Sequence, residues 1–355
     1  MSDLRQSYGL DLSVSVCTDV GRVRSNNEDA ADHVWLEDGS LFVVVADGMG
    51  GHEAGEVASG LAVRVLGERM QRSDDDPRQR LYDGLLEANE AIMDEGQTSG
   101  TRGMGTTAVV ALLQGPDAFV GLVGDSRLYH VRKGHTVWRT LDHTRVQALV
   151  NAGDLDERDA RDHPESGMLT RALGHSRMSD GEPLVPDVLE EPLELESEDA
   201  LVMCSDGLHD LVEDWEISQV VAGRTPEDAA QELVDLACDR GGFDNVTVAV
   251  VTVGERAGEY DATFGDETDA PDSLPFESQE EHAEVIFEIT QENQIPPRRG
   301  PAPSTVPPTQ EPGRPRGRRR MVLGLAMATL LGLVGAGLLL VGLLAVVVWG
   351  LAGNP

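Results

Sequence analysis

The strongest constraint in this sequence is a set of apolar, β-branched runs, each meeting an aspartate at one end. Leu41 to Ala46 is unbroken and leads into Asp47-Gly48; Ala118 to Gly124 leads into Asp125-Ser126; Ala200 to Ser205 leads into Asp206-Gly207; Asp244 sits just before Val246 to Val253. Apolar runs of this length without alternation predict strands buried on both faces. If the strand ends meet, their carboxylates cluster, and clustered carboxylates repel one another unless they are protonated or hold cations. An all-oxygen set with no matching Cys or His group favours the hard ions Mg²⁺ or Mn²⁺ over zinc.

The elements between these runs predict cover for a sheet. After the glycines at 48, 50 and 51, helical spacing places Ala58, Leu61, Ala62, Val65 and Leu66 on one face of a helix over 54–70. A second helix from Pro77 carries Leu81, Leu85, Ala88 and Ile92, and a third over Pro226–Asp239 turns Ala229, Ala230, Leu233, Val234 and Ala237 inward. Leu12 to Cys17 alternates as a half-buried strand does, His33 to Leu36 is a short strand, and Asp38-Gly39 is a hairpin turn. Gly103 to Thr107 leads into a strand over 108–113. The runs at 119–123, 128–131 and 136–139 then follow so closely that they read as an antiparallel meander. Residues 142–186 lack sustained periodicity apart from a short helix near 144–150, and His143 and His163 read as structural or solvated.

Composition narrows the function. The net charge of −35 excludes a nucleic-acid partner, whose phosphates need Lys and Arg. Cys17, Cys204 and Cys238 are widely separated and follow no metal spacing, as expected of free thiols in a reducing compartment. The first thirty residues contain no apolar segment suited to a signal peptide, so the N-terminal part is expected to stay inside the cell.

Eight short segments carry a resemblance. They are Thr18–Asp29, Ala46–His52, Gly103–Thr107, Val123–Arg127, Asp142–Thr144, Leu169–Gly174, Cys204–Leu208 and Asp244–Thr247. In order and spacing, over about residues 10–253, they resemble the bacterial form of the metal-dependent Ser/Thr protein phosphatases (protein phosphatase type 2C). The resemblance implies an α+β fold: an antiparallel β-sandwich flanked by helices, in α-β-β-α layers. It also implies two Mn²⁺ or Mg²⁺ ions, with a third position in bacterial members. Asp47 is then the bridging ligand, Asp206 and Asp244 complete the first site, and the Gly48 carbonyl serves the second. Glu28 and Asp29 act through metal-bound waters, and Asp125 with Asp206 matches the third position. Arg24 falls at the family's phosphate-binding arginine, a planar cation suited to bidentate contact. His52 is the candidate proton donor to the leaving alkoxide, although this loop differs in length from that of eukaryotic members. The implied reaction is hydrolysis of phosphoserine and phosphothreonine on proteins by a metal-bridging hydroxide attacking phosphorus in line, reversing bacterial Ser/Thr kinase signalling. The implied partners are phosphorylated proteins, the kinases and their substrates. The alternatives are a catalytically weak membrane-tethered scaffold and a phosphatase dedicated to one small regulatory protein.

The catalytic domain is expected over residues 1–254. Residues 255–292 hold thirteen acidic side chains and one arginine, and 296–315 hold eight prolines. Such a segment buries too little apolar surface to offset chain entropy, so 255–320 reads as a disordered linker, with Glu284 to Ile289 its one apolar island. No charged residue occurs from Met321 to Pro355. The thirty residues 321–350 would make a helix of roughly 45 Å, enough to span a ~30 Å hydrocarbon core. Five arginines between 314 and 320 place its leading side in the cytoplasm, predicting a single-pass bacterial inner-membrane protein. Gly324, Ala328, Gly332 and Ala336 share one face, a spacing that permits a homodimer through this helix.

Overall fold

A computed structural model describes residues 3–50, 54–72, 76–98, 101 and 103–254. The chain divides into two compact units, 1–274 and 275–355, and every described residue lies in the first. The expected linker, membrane helix and small-residue stripe lie outside the described residues. No helix among the described residues is long and apolar enough to cross a membrane.

The chain runs β1 (Asp3–Ser7), β2 (Leu10–Asp19), β3 (Asp29–Trp35), β4 (Leu41–Met49), α1 (Ala54–Met70), α2 (Pro77–Thr98), β5 (Gly105–Thr106), β6 (Ala108–Gln114) and β7 (Asp117–Val123). It continues through β8 (Arg127–Arg132), β9 (His135–Arg139), α3 (Arg145–Asn151), α4 (Glu157–Ala160), β10 (Asp187–Val188), β11 (Leu193–Glu194), β12 (Ala200–Cys204), α5 (Asp206–His209), α6 (Asp214–Val221), α7 (Pro226–Asp239) and β13 (Val246–Val253). One sheet has the order β1-β2-β13-β12-β8-β9. The other runs β10-β7-β6-β4-β3, with β11 beside β7 and β5 beside β4. Every pairing is antiparallel.

The unbroken apolar runs are explained by what covers them. In β4, Leu41, Val43 and Val45 face Leu201, Met203, Ala249 and Val251 of the opposite sheet, while Phe42 and Val44 pack under α1 and α2. The same division recurs in β13, whose Val246, Val248 and Val250 pack against α7 and whose Ala249 and Val251 enter the inter-sheet core. The layers are therefore helix, sheet, sheet and helix, as the expected α+β sandwich requires. The three helical stripes read from the sequence occupy the predicted places, with Ala58, Leu66, Leu81, Leu85, Ile92, Leu233 and Ala237 at 0% exposure.

Two readings are corrected. The runs after β6 do not form one meander: β7 pairs with β6 in one sheet, and β8 pairs with β12 and β9 in the other. The chain changes sheets at Gly124-Asp125-Ser126, where Gly124 takes φ +107, a left-handed region that favours glycine. Nor does β4 stop at Ala46. Asp47 pairs with Asp29 and Gly48 with Thr106, so neighbouring strands carry the extended conformation on to Met49. Alternation understated β2, whose Leu12 to Ser15 are all buried because Leu12 and Val14 enter the inter-sheet core while α7 packs on the strand's other face. The sequence reading also lacked β1, α5 and α6. α6 announces itself through a capping box, with Glu213 and Glu216 each accepting from the other's backbone N–H.

Candidate active site

The four aspartates singled out by their strand ends arrive in one place because the two sheets deliver them to the same edge. Asp47 comes from the end of β4, Asp125 from the crossing between sheets, Asp206 from the first turn after β12, and Asp244 from two residues before β13. They line a cleft of about 310 Å³ together with Arg24, Glu28, Gly48, Met49, Thr107 and Asn245. Asp29 does not line it. Paired across the ladder from Asp47, it sits behind, its Oδ2 accepting from the Ser205 hydroxyl at 2.7 Å. Gly167 and Leu169, from the irregular region, close another side of the cleft. His52 lies outside the described residues.

The electrostatics are those of crowded acids. Burial, then the charges of Asp206, Asp29 and Asp125, push the Asp47 carboxyl well above its ordinary range. Burial and the neighbouring Asp125 and Asp210 do the same to Asp206. Asp125 is pushed up to about 7 by burial, Asp142 and Asp210, and Asp29 to about 6 by burial, against the opposing pull of its Ser205 hydrogen bond. Asp47 and Asp206 resist ionising together, because two buried carboxylates this close repel when both are charged. Asp206 Oδ1 is buried with no partner. A buried acceptor left unpaired costs free energy, and a cation would satisfy it.

This donor set fits a hard divalent ion. It is all oxygen, its acids repel one another, and Asp206 Oδ1 awaits a partner. The backbone is also drawn in: a Cβ on Gly48 would fall 2.2 Å from the Gly55 carbonyl and 2.4 Å from that of Glu28. Among the described residues, no three or more Asp, Glu, His or Cys side chains already stand as a closed metal cage. The carboxylates surround a cleft instead, so ions would enter an open, polar site.

A frame of uncharged groups holds the acids. The Asp47 N–H donates to Thr107 Oγ1 at 2.9 Å, and its carbonyl accepts from the Thr106 hydroxyl at 2.8 Å and the Thr107 N–H at 2.9 Å. Thr107 and Ser126 hydroxyls meet at 2.6 Å, tying the Asp47 strand to the Asp125 crossing. His209, fully buried, has its pKa pushed down to about 3 by burial and the nearby Arg127. As a neutral ring it donates Nε2–H to the Asp125 carbonyl at 3.0 Å. Burial alone would raise Asp142, but Arg127, bonded to both its oxygens at 2.8 and 2.7 Å, holds it below its ordinary value.

Asn245 is the residue whose role was missed. It follows Asp244 within a recognised segment, but its work is visible only in three dimensions. Its Nδ2 donates to the Val20 and Asn26 carbonyls, each at 2.9 Å, and its Oδ1 accepts from the Glu28 N–H at 2.8 Å. The loop bearing Arg24 and Glu28 is therefore pinned to the turn bearing Asp244 just before β13. Asn245→Ala is expected to cost about 2–3 kcal/mol in denaturant unfolding, through three lost bonds and the groups left unpaired. It should also raise KM more than it lowers kcat, because the loop carrying Arg24 is freed. An unchanged unfolding midpoint would refute this account.

Comparisons with known proteins identify the family. A sequence profile of the family "Protein phosphatase 2C" matches residues 21–236. A putative protein phosphatase 2C-type protein from Streptococcus pyogenes is 37% identical over 245 residues, covering 68% of this chain and 97% of the relative. The structure of the S. agalactiae serine/threonine phosphatase superposes with a TM-score of 0.63 at 36% identity, covering 68% of this chain and all of that one. The catalytic domain of the serine/threonine protein phosphatase PstP, solved in complex with two manganese ions, has a TM-score of 0.59 at 33% identity, covering 69% of this chain and 100% of that chain. Family profile, sequence identity and superposed fold agree, and the chain belongs to the protein phosphatase 2C family.

Proposed function

We propose that this chain hydrolyses phosphoserine and phosphothreonine on proteins with the help of two or three Mn²⁺ or Mg²⁺ ions. The observation that carries this reading is the set of buried, mutually repelling carboxylates opened to a cleft that a single arginine enters. Asp47, Asp206, Asp244 and the Gly48 carbonyl would hold two ions, and Asp125 with Asp206 a third. Bound there, the metals supply Lewis acidity, making water nucleophilic near neutral pH and offsetting phosphoryl charge.

The protein's own groups supply position. Arg24 is half exposed, with Nη2 2.6 Å from Asp244 Oδ2, so its guanidinium is already aimed along the cleft wall. It can grip phosphoryl oxygens with its remaining N–H groups. Glu28 is raised above its ordinary range, chiefly by burial, and can accept a hydrogen bond from ordered water or pass on a proton. No thiol lines the cleft, and Cys204 is wholly buried with its pKa pushed far up, so a cysteinyl-phosphate route has no nucleophile among the described residues. The substrates fitting this site are phosphoproteins of bacterial Ser/Thr kinase signalling, including the kinases. The uncharged stretch 321–350, with its flanking arginines, supports a membrane tether that keeps the domain on the cytoplasmic side.

The direct test is phosphate release from a phosphothreonine peptide and a phosphoserine peptide by the full-length protein in Mn²⁺. Steady turnover of both supports the reading. No release from either, by protein that binds Mn²⁺ and is folded, overturns it.

A further inference from the structure

Three exposed apolar residues adjoin the cleft lining along the chain. Val23 is 65% exposed, Phe243 63% and Met168 51%. Each is the chain neighbour of a lining residue: Val23 of Arg24, Phe243 of Asp244, and Met168 of both Gly167 and Leu169. Exposed apolar residues scattered singly are ordinary surface, but a group gathered at the mouth of a polar cleft marks a contact site.

Two of them lie on segments that are joined on either side. The Arg22 N–H donates to the Gly242 carbonyl at 2.8 Å, and the Arg24 side chain bonds that of Asp244 at 2.6 Å, so Val23 and Phe243 each lie between residues that tie the two segments together. The Phe243 ring lies over Gly241: a Cβ there, where φ is +129, would fall 2.7 Å from its Cζ. An aromatic side chain has few rotatable bonds and loses little entropy when it is covered.

Charge decides what covers it. Arg24 is the one cation among the lining side chains, against Glu28, Asp47, Asp125, Asp206 and Asp244, and the whole chain carries −35. A partner segment must bring one phosphoryl group to Arg24, and any further negative charge beside it is repelled.

We infer that Val23, Phe243 and Met168 form a lip that selects phosphoprotein segments with a bulky apolar residue next to the phosphoresidue and disfavours acidic neighbours. This rests on the phosphatase reading above and names the substrate class within it. The test compares three phosphothreonine peptides, identical except for flanks of Gly, Leu or Asp, under Mn²⁺. The full-length protein is expected to turn over the Leu-flanked peptide with a kcat/KM about tenfold above the Gly-flanked one, and the Asp-flanked peptide more slowly than both. In Phe243→Ser the Leu-to-Gly ratio should collapse towards one, and Phe243→Leu should keep most of it. Equal rates for all three peptides with the wild type, or an unaltered ratio in Phe243→Ser, overturn the inference and leave the phosphatase reading standing. Failure to hydrolyse any peptide overturns the reading beneath it. Sedimentation showing self-association that Phe243→Ser abolishes, with peptide preference unchanged, assigns the lip to a second copy of this chain and overturns the inference.

Discussion

Chelating divalent metal is expected to lower phosphopeptide turnover at least about a thousandfold, and Asp47→Asn to reproduce that loss with Mn²⁺ present. Asp47 stands at the centre of the acid cluster, within reach of the charges of Asp29, Asp125 and Asp206. An amide there cannot offset cationic charge, whatever ions the other carboxylates retain. The same change acts oppositely on the fold. In metal-free protein Asp47 is a buried acid whose ionised form is disfavoured, so Asn removes a penalty and the melting temperature of the chelated variant should equal or exceed that of the chelated wild type.

The sign of the pH dependence follows. Acids with raised native pKa values keep protons that the unfolded chain releases, so stability falls as pH rises through that window. For Asp29 and Asp125 the window opens near the ordinary carboxylate value of ~4. It closes at about 6 and about 7 respectively. Chelated wild type should therefore melt lower at pH 8 than at pH 5, Asp47→Asn should show a shallower fall, and added Mn²⁺ should raise the wild type's melting temperature most at pH 8. Turnover of Asp47→Asn within about tenfold of the wild type would remove Asp47 from the metal site. A chelated protein more stable at pH 8 than at pH 5 would refute the electrostatic account.

Gly48→Ala is expected to be among the most damaging single methyl additions in the domain. Gly48 does not have a positive φ; what it lacks is room. The added carbon would fall 2.2 Å from the Gly55 carbonyl oxygen and 2.4 Å from that of Glu28, both backbone atoms that no side-chain rotation can move. Overpacking against backbone should cost about 3 kcal/mol or more, and in a domain of this size that is roughly a 10 °C drop in melting temperature. Since α1 and the Glu28 loop are the obstructing elements, separating them also spreads the acid cluster, and Mn²⁺-dependent turnover should fall together with stability. Gly60→Ala is the control, because nothing lies within 4 Å of a Cβ there. A Gly48→Ala protein as stable as Gly60→Ala would show that the strand and helix can part without cost.

What was legible in the sequence was local. Helices over 54–70 and 226–239 could be read almost to the residue, because an apolar stripe at helical spacing has one way to be buried against a sheet. The aspartates at strand ends were legible for a similar reason: a β-branched run stops where an acid interrupts it, whatever the surroundings. The sheet crossing at Gly124 was not. Close spacing of β7, β8 and β9 fits a meander equally well, and only their partners β6 and β12, distant in sequence, decide which sheet takes each strand.

The chain by itself determined which residues carry charge, which bury and which family it joins. It also determined that oxygen ligands would gather if their strands met. The tertiary structure alone decided that Asp29 stands behind the cleft bonded to Ser205 and that Asn245 bolts the Arg24 loop to Asp244. It alone decided that Gly48 serves by closeness to Gly55 and Glu28 and that Arg22 bonds Gly242. The physical reason is range. Propensity and periodicity act over a few residues, whereas Glu28 and Asn245 are 217 residues apart, and their 2.8 Å hydrogen bond exists only once two sheets have packed.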